Sequence, residues 1–472
     1  MKLIRQTAMY LPAQTLGPLC QFAAAVGWTH FLTPANYGVA AYLIAAQELT
    51  LILSTYWWSL FTTRFYQRFQ RDGSLDAHGQ TDLAVVLAGG VIQILASAVI
   101  LSLMDVFSLS LLVGTAAFFV TRVALTHYSE IARASERIAV YTIAQTASSV
   151  VGSLLTFPVL FYISATPEAL IWTFVGPQLI ALIVVVRMMN VRLRLSHVDR
   201  DMLRAGLRYG LPLVLSGLFI WVSLNGIRFV VEWYAGLAAV GLVSVGWGLG
   251  IRLASVLSMI GAAAAFPRAV SLFEAGEVDA AFEHVALGGA MLFSLLAPTA
   301  AGLVMISPEL TRLFIAEPFQ EVTMAVLPTA FVAAALRSMR IHFLDQMSLL
   351  RERMSIPPFL NGLDAVSSMI CCAIGIMLGD VYLAALGCLV GACPPVLFSI
   401  YFAFKYGLRV PVSEMLRIML AVAAMVVALR LLPPLTGLGG LTLTVAIGAV
   451  AYIAAMALLF SGELRSRFTV TA

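Results

Sequence analysis

The chain has 472 residues, of which 61% are apolar and 11% charged, with a mean hydropathy of +0.95 and a net charge of +4. Soluble domains carry about 25% charged residues. The composition therefore excludes an ordinary soluble protein, a disordered chain and a disulfide scaffold, and no hydrophilic stretch is long enough for an enzyme domain outside a membrane.

Bilayer-spanning helices need about 20 apolar residues each. Read in chain order, the apolar runs predict helices over 7–30, 36–60, 82–104, 108–131, 139–163, 168–188, 209–233, 237–263, 283–306, 322–349, 356–378, 381–404, 412–431 and 438–460. The basic segment Met1–Thr7 precedes the first run, and no small-residue cleavage site follows it, so an uncleaved helix is expected. Asp105-Val106-Phe107 and Gly379-Asp380 are turns short enough to close tight hairpins. Cys20, Cys371, Cys372, Cys388 and Cys393 all fall in apolar runs without metal-ligand or redox spacing and read as core residues.

Loop charge gives the orientation. With the N-terminus inside, one set of loops and helix ends holds 21 of the 28 basic residues, among them Arg64, Arg68, Arg71, Arg133, Arg137, Arg187, Arg192, Arg194, Arg351, Arg353 and Arg409. Only Arg312 and Arg430 fall outside. Both termini are thus expected in the cytoplasm. The basic run Arg187–Arg208 reads as a loop touching anionic lipid and divides the chain nearly in half.

Two signals predict an internal duplication. Tyr10-Leu11-Pro12 opens the first expected helix and Tyr209-Gly210-Leu211-Pro212 the seventh. The loop after each places a glycine, Gly38 or Gly241, at the start of the next helix. The pattern Arg-x4-His-x2-acid occurs as Arg122, His127, Glu130 and as Arg337, His342, Asp345, at an offset of 215; a Glu-Arg pair follows each, at an offset of 216. The expected organisation is an N-lobe over 1–195, a basic linker over 196–208, a C-lobe over 209–405 and a helical hairpin over 406–472.

Charges at membrane depth are costly and face a cavity or a partner. Arg252 lies eleven residues after Gly241 and Glu48 ten after Gly38, so both are about 15 Å deep. Arg122, Arg228, Arg252, Arg337 and Arg340 are expected to line an aqueous cavity for an anionic substrate, since guanidinium suits phosphate. The alternative is that they pair with Glu48, Glu130, Asp345 and Asp364 to hold helices together. Glu48 and Arg252 are expected to approach each other during transport. His127 and His342 are proton-carrier candidates, or histidines satisfied by the acid three residues on. Trp28, Trp172 and Trp233, and Trp57-Trp58 at the other side, read as interface belts. Trp221 and Trp247 fall within helices and read as packing residues, with stacking on a sugar ring as the alternative. No nucleotide-binding loop, zinc motif or nucleophile elbow occurs, so no ATP-driven or hydrolytic chemistry and no metal site is expected.

The helix number, the six-helix repeat and the loop Leu32-Thr33-Pro34-Ala35-Asn36-Tyr37-Gly38 resemble the polysaccharide-transporter, or O-antigen flippase, branch of the multidrug/oligosaccharidyl-lipid/polysaccharide (MOP) exporters. The resemblance implies an all-α polytopic membrane protein with two pseudo-symmetric six-helix bundles, a V-shaped arrangement and a C-terminal helix pair. It implies a bacterial inner-membrane flippase for an undecaprenyl-diphosphate-linked oligosaccharide, working by alternating access with polysaccharide polymerase and assembly proteins as partners. Lipid II flippases of the superfamily are an alternative. Its drug antiporters fit less well, because the proton-coupled bacterial form carries an Asp in helix 1 and this chain does not. A membrane-embedded assembly enzyme or scaffold would need a polar cluster outside the membrane. No cofactor and no nucleic-acid partner is expected; coupling to sodium, protons or membrane potential stays open.

Overall fold

The computed structural model describes residues 16–191, 195, 198–262 and 265–461. The expected signature Tyr10–Pro12, the N-terminal segment and the basic residues Lys2, Arg5, Arg192, Arg194, Arg465 and Arg467 lie outside them.

Helix α1 is Leu16–Trp28 and α2 is Pro34–Arg71. The Thr33 hydroxyl caps α2 by accepting from the Asn36 N–H, and Pro34 fills a first-turn position whose N–H needs no partner. Helix α2 runs well past the expected 36–60 and contains a π-helical turn at Ile52–Tyr56. Helices α3 (Leu75–Leu103), α4 (Leu109–Ala134), α5 (Ile138–Tyr162) and α6 (Pro167–Met188) follow. Helix α7 is Arg200–Asn225 and α8 is Ile227–Ala262. The carboxylate of Asp199 accepts from the N–H groups of Asp201 and Met202 and so starts α7 nine residues before the expected 209. Half of the predicted basic loop is therefore helix, and Tyr209–Pro212 lies inside α7 instead of opening it. A short helix not expected from the sequence, α9 (Ala265–Glu274), precedes α10 (Val278–Phe314). The rest are α11 (Glu317–Leu350, with a π turn at Arg340–Leu344), α12 (Ile356–Leu378), α13 (Val381–Lys405), α14 (Val412–Arg430) and α15 (Gly437–Leu459).

Twelve helical stretches among the described residues are long and apolar enough to cross a membrane, and one of them, Arg200–Gly261, has 62 residues. That length is about 93 Å, three times a hydrocarbon core. Gly236, with φ 77° and ψ 177°, divides it into two crossings; this backbone region is open essentially to glycine alone. With the shorter α1, each of the expected membrane segments has a helix. The protein is an all-helical, multi-pass membrane protein.

The chain forms two compact units. The first holds residues 1–221 and 236–241, the second 222–235 and 242–472. In the first, α4 packs on α5 and α6 through Leu125, Tyr128, Ala132, Tyr141 and Val185. Gly38 and Gly241 explain their shared placement after the two loops: a Cβ on Gly38 would overlap the Leu237 carbonyl, and a Cβ on Gly241 the Pro34 carbonyl. In the second unit, Phe343, Met347 and Ala403 form one core, and Ile418, Val422, Met425 and Leu429 of α14 another.

The duplication signal acquires a physical reading. Glu136 and Glu352 both adopt left-handed backbone, at φ 61° and 56°. Each follows a helix end closed by the same two bonds, Glu136 N–H to Arg133 O and Arg137 N–H to Ala132 O, Glu352 N–H to Leu349 O and Arg353 N–H to Ser348 O. These positions differ by 216. The arginines upstream differ by 215, and the π turn at Arg340–Leu344 inserts the extra residue between them. The insertion takes His342 out of register with His127: His127 is buried, His342 is exposed, and buried Phe343 takes the corresponding place.

Candidate functional site

Polar side chains inside a membrane protein need partners, since an unpaired polar group in hydrocarbon costs several kcal/mol. Among the described residues, two buried clusters contain carboxylates, one in each unit, and a small set of arginines lies outside them.

In the first unit the centre is Asp82 of α3, 3% exposed. Its Oδ1 accepts from Trp58 Nε1 at 2.7 Å and from His127 Nε2 at 2.6 Å. His127 Nδ1 lies 2.7 Å from Ser59 Oγ. Nearby, Thr62 Oγ1 is 3.1 Å from His78 Nε2, and the His78 ring stacks on Trp58. His127 is therefore satisfied by Asp82, not by Glu130 three residues on, which pairs with Arg133. Asp82 stood at the first residue of the expected 82–104 helix, where a charge reads as an end residue. The helix begins at Leu75, which carries Asp82 about two turns inward.

In the second unit, Arg337 Nε contacts both oxygens of Asp364, at 3.2 and 3.0 Å, and its Nη2 donates to Ser368 at 2.8 Å. Arg340 donates to Asn361 at 2.7 Å and to Asp345 at 3.4 Å, while Asp345 accepts from Ser399 at 2.5 Å. Arg337 and Arg340 are 4% and 1% exposed. Their place is in a balanced network of two arginines and two carboxylates, and not on a water-filled wall as expected. Asn361 and Ser399 complete it; neither is chargeable, so no charge pattern marked them.

Three expected arginines sit elsewhere. Arg122, half-buried in α4, lies within electrostatic reach of Glu48 of the same unit. Glu48 is exposed. Arg228 forks between Asn225 Oδ1 at 2.5 Å and Ser244 Oγ at 3.2 Å. Arg252, half-buried in α8, has no carboxylate in an ion pair with it among the described residues.

The tryptophans divide differently from expectation. Trp233 is 81% exposed and Trp172 44%, as membrane-interface residues would be. Trp28, however, is buried and donates to Thr156, and Trp58 is fully buried at Asp82. Trp247 is buried and donates to the Leu224 carbonyl, a packing role.

Residues 3–273 match the family model described as polysaccharide biosynthesis protein, which covers more than half of the chain. The chain belongs to that family. Comparison with curated protein sequences gives no match. Among solved structures, the lipid II flippase MurJ in an inward closed conformation is similar at a TM-score of 0.76 and 13% identity, over 97% of this chain and 100% of that one. An inward-facing multidrug resistance MATE family transporter of the MOP superfamily gives 0.63 and 15%, over 82% and 94%. A MATE in the straight conformation gives 0.55 and 14%, over 85% and 94%. This member of the family thus has the fold shared by these MOP-superfamily structures.

Proposed function

We propose that the protein moves an oligosaccharide carried on a polyprenyl diphosphate from the cytoplasmic to the periplasmic leaflet of the bacterial inner membrane. The observation that carries this reading is Arg252. A guanidinium about 16 Å into the membrane, half-buried and without a bonded carboxylate among the described residues, calls for an anion. A diphosphate supplies one, with oxygens that match the planar fork of donors. Arg228 of the same unit, which donates to the neutral side chains of Asn225 and Ser244, adds a second guanidinium of that chemistry. A cationic drug would meet the wrong sign of charge. The family match supports a glycan as cargo, and the loop charge supports N- and C-termini in the cytoplasm.

The test is loss of the gene product in cells that make such a glycan. The lipid-linked sugar should accumulate on the cytoplasmic face. The wild-type protein should clear it, and Arg252→Ala at equal membrane level should not. Clearance by Arg252→Ala at the wild-type rate overturns the assignment.

A further inference from the structure

We propose that Asp82 and His127 form a proton-binding site in the first unit, that the Ser59 hydroxyl changes partner as the proton arrives, and that α7 responds through Trp57 and Trp58. The site itself stands apart from the cargo; only its use to drive transport rests on the reading above.

The atoms define where the proton goes. The Asp82 carboxylate can only accept, so the 2.6 Å contact places a hydrogen on His127 Nε2. That leaves Nδ1 as the ring nitrogen open to a proton. Its neighbour Ser59 Oγ, at 2.7 Å, has a second acceptor within reach, the Thr55 carbonyl at 3.3 Å. With a neutral imidazole, the Ser59 hydroxyl donates to Nδ1. With an imidazolium, Nδ1–H donates to Ser59 Oγ, and the hydroxyl turns to Thr55. One proton enters from water, no covalent bond of the protein breaks, and Ser59 gives His127 Nδ1 a hydrogen-bond partner in both states. Thr55 belongs to the π turn at Ile52–Tyr56, a geometry frequent at functional sites.

The site has an entry. A cleft of about 260 Å³ opens at the ends of α2, α3, α4 and α6, and its wall includes Asp82 together with Tyr66, Asp76, His78 and Tyr128. These ends adjoin the arginine-rich turns, the side read as cytoplasmic. The chargeable groups around Asp82 are His78 and Asp76 on α3, Tyr56 and Tyr66 on α2, His127, Tyr128 and Glu130 on α4, and Asp199 before α7. Glu130 is held by Arg133, and Arg137 acts on Tyr66. No lysine or arginine is bonded to Asp82 among the described residues, so with a neutral His127 it is a buried net negative charge. A proton on His127 removes that imbalance. A metal cation is disfavoured, since Asp82 Oδ1 already takes two N–H donors and no cluster of three or more His, Cys, Asp or Glu exists among the described residues.

The link to α7 is steric. A Cβ on Gly210 would overlap the Trp57 backbone, and a Cβ on Gly206 would lie 3.0 Å from the Trp58 ring. The Asp199 N–H donates to Thr81 Oγ1 at 3.0 Å, next to Asp82 in sequence. Helix α7 therefore rests on the two tryptophans, and the Trp58 indole is the second donor to Asp82. When an imidazolium competes for that carboxylate, the hold on Trp58 weakens and the seat of α7 loosens. Beyond Trp221 the same helix runs into the second unit.

The experiment uses the full chain in lipid nanodiscs with ¹⁵N-labelled histidine rings, acidified stepwise with and without sodium. The His127 signal, identified by its absence from His127→Gln, should pass from the Nε2–H tautomer to the doubly protonated ring. Amide exchange of Arg200–Trp221, referenced to Val412–Arg430, should quicken several-fold over the same pH range. In Asp82→Asn the ring should stay neutral. Ser59→Ala, which removes one hydroxyl and leaves the packing nearly intact, should change the pH at which the signal moves. A His127 ring that keeps one tautomer throughout, or that titrates alike in wild type and Ser59→Ala, overturns the proposal, as does a response that follows sodium instead of pH. None of these readings involves a glycan, so their failure would leave the cargo assignment standing, and failure of glycan clearance would leave the proton site standing.

Discussion

Two kinds of membrane-depth arginine separate at the residue scale. Arg337 is locked to Asp364, and removal of one partner from such a pair costs about 3–5 kcal/mol because the other charge is left alone. Asp364→Ala should therefore lower folded yield and unfolding temperature sharply, read by size-exclusion profile and thermal melting in detergent. The double change Arg337→Ala/Asp364→Ala should recover part of that loss. Arg252→Ala removes no bonded carboxylate among the described residues and should change stability by no more than about 1 kcal/mol. The sequence shows both arginines equally, as charges in apolar runs. What distinguishes them is the carboxylate opposite, and Asp364 is 27 residues away on another helix. His342 teaches the same lesson from the other side. Its spacing copies that of His127, yet one inserted residue turns it out of the packed face.

The breaks decide the elements. Gly236 is needed for its backbone alone: φ is 77°, and a Cβ there would meet nothing within 4 Å. Gly236→Ala should therefore cost about 1–3 kcal/mol as strain. Gly302→Ala, in helix α10 and also facing open space, should be neutral or stabilise by about 0.5–1 kcal/mol. Equal melting temperatures for the two variants would contradict this account of the turn. Gly210→Val, which drives side-chain atoms into the Trp57 backbone, should destabilise the first unit by about 1–3 kcal/mol or more. Hydropathy located every membrane segment, because lipid forces about 20 apolar residues into each. It missed helix ends that carry polar residues. Leu75 to Asp82, Arg200 to Arg208, and the end of α2 past Leu60 continue as helix through stretches of low hydropathy. It also gave no sign of the two π turns, which depend on one residue more or less and not on composition.

The whole molecule is a multi-pass membrane protein of two units with the fold of the MOP-superfamily structures, and the proposed function rests on sidedness and charge. On the proposed orientation, the turns at Glu136 and Arg353 face the cytoplasm and Trp233 the far side. In a cysteine-free background, Glu136→Cys and Arg353→Cys should react with an impermeant thiol reagent only from inside, and Trp233→Cys only from outside; the reverse pattern would invert the direction of transport. The family and fold were legible from the Leu32–Gly38 loop, the helix number and the repeat. The cargo is not written in any motif, because the arginines proposed to meet an anion follow no fixed spacing. The central claim is that the Arg252 guanidinium, without a bonded carboxylate among the described residues, binds a diphosphate that crosses the membrane. Its most direct measurement is transfer of a fluorescent polyprenyl-diphosphate oligosaccharide between the leaflets of sealed vesicles containing the purified protein. Wild type should move it, Arg252→Lys should move it more slowly, and Arg252→Ala should leave it where it started although the protein is folded and inserted. Transfer by Arg252→Ala at the wild-type rate would contradict the account.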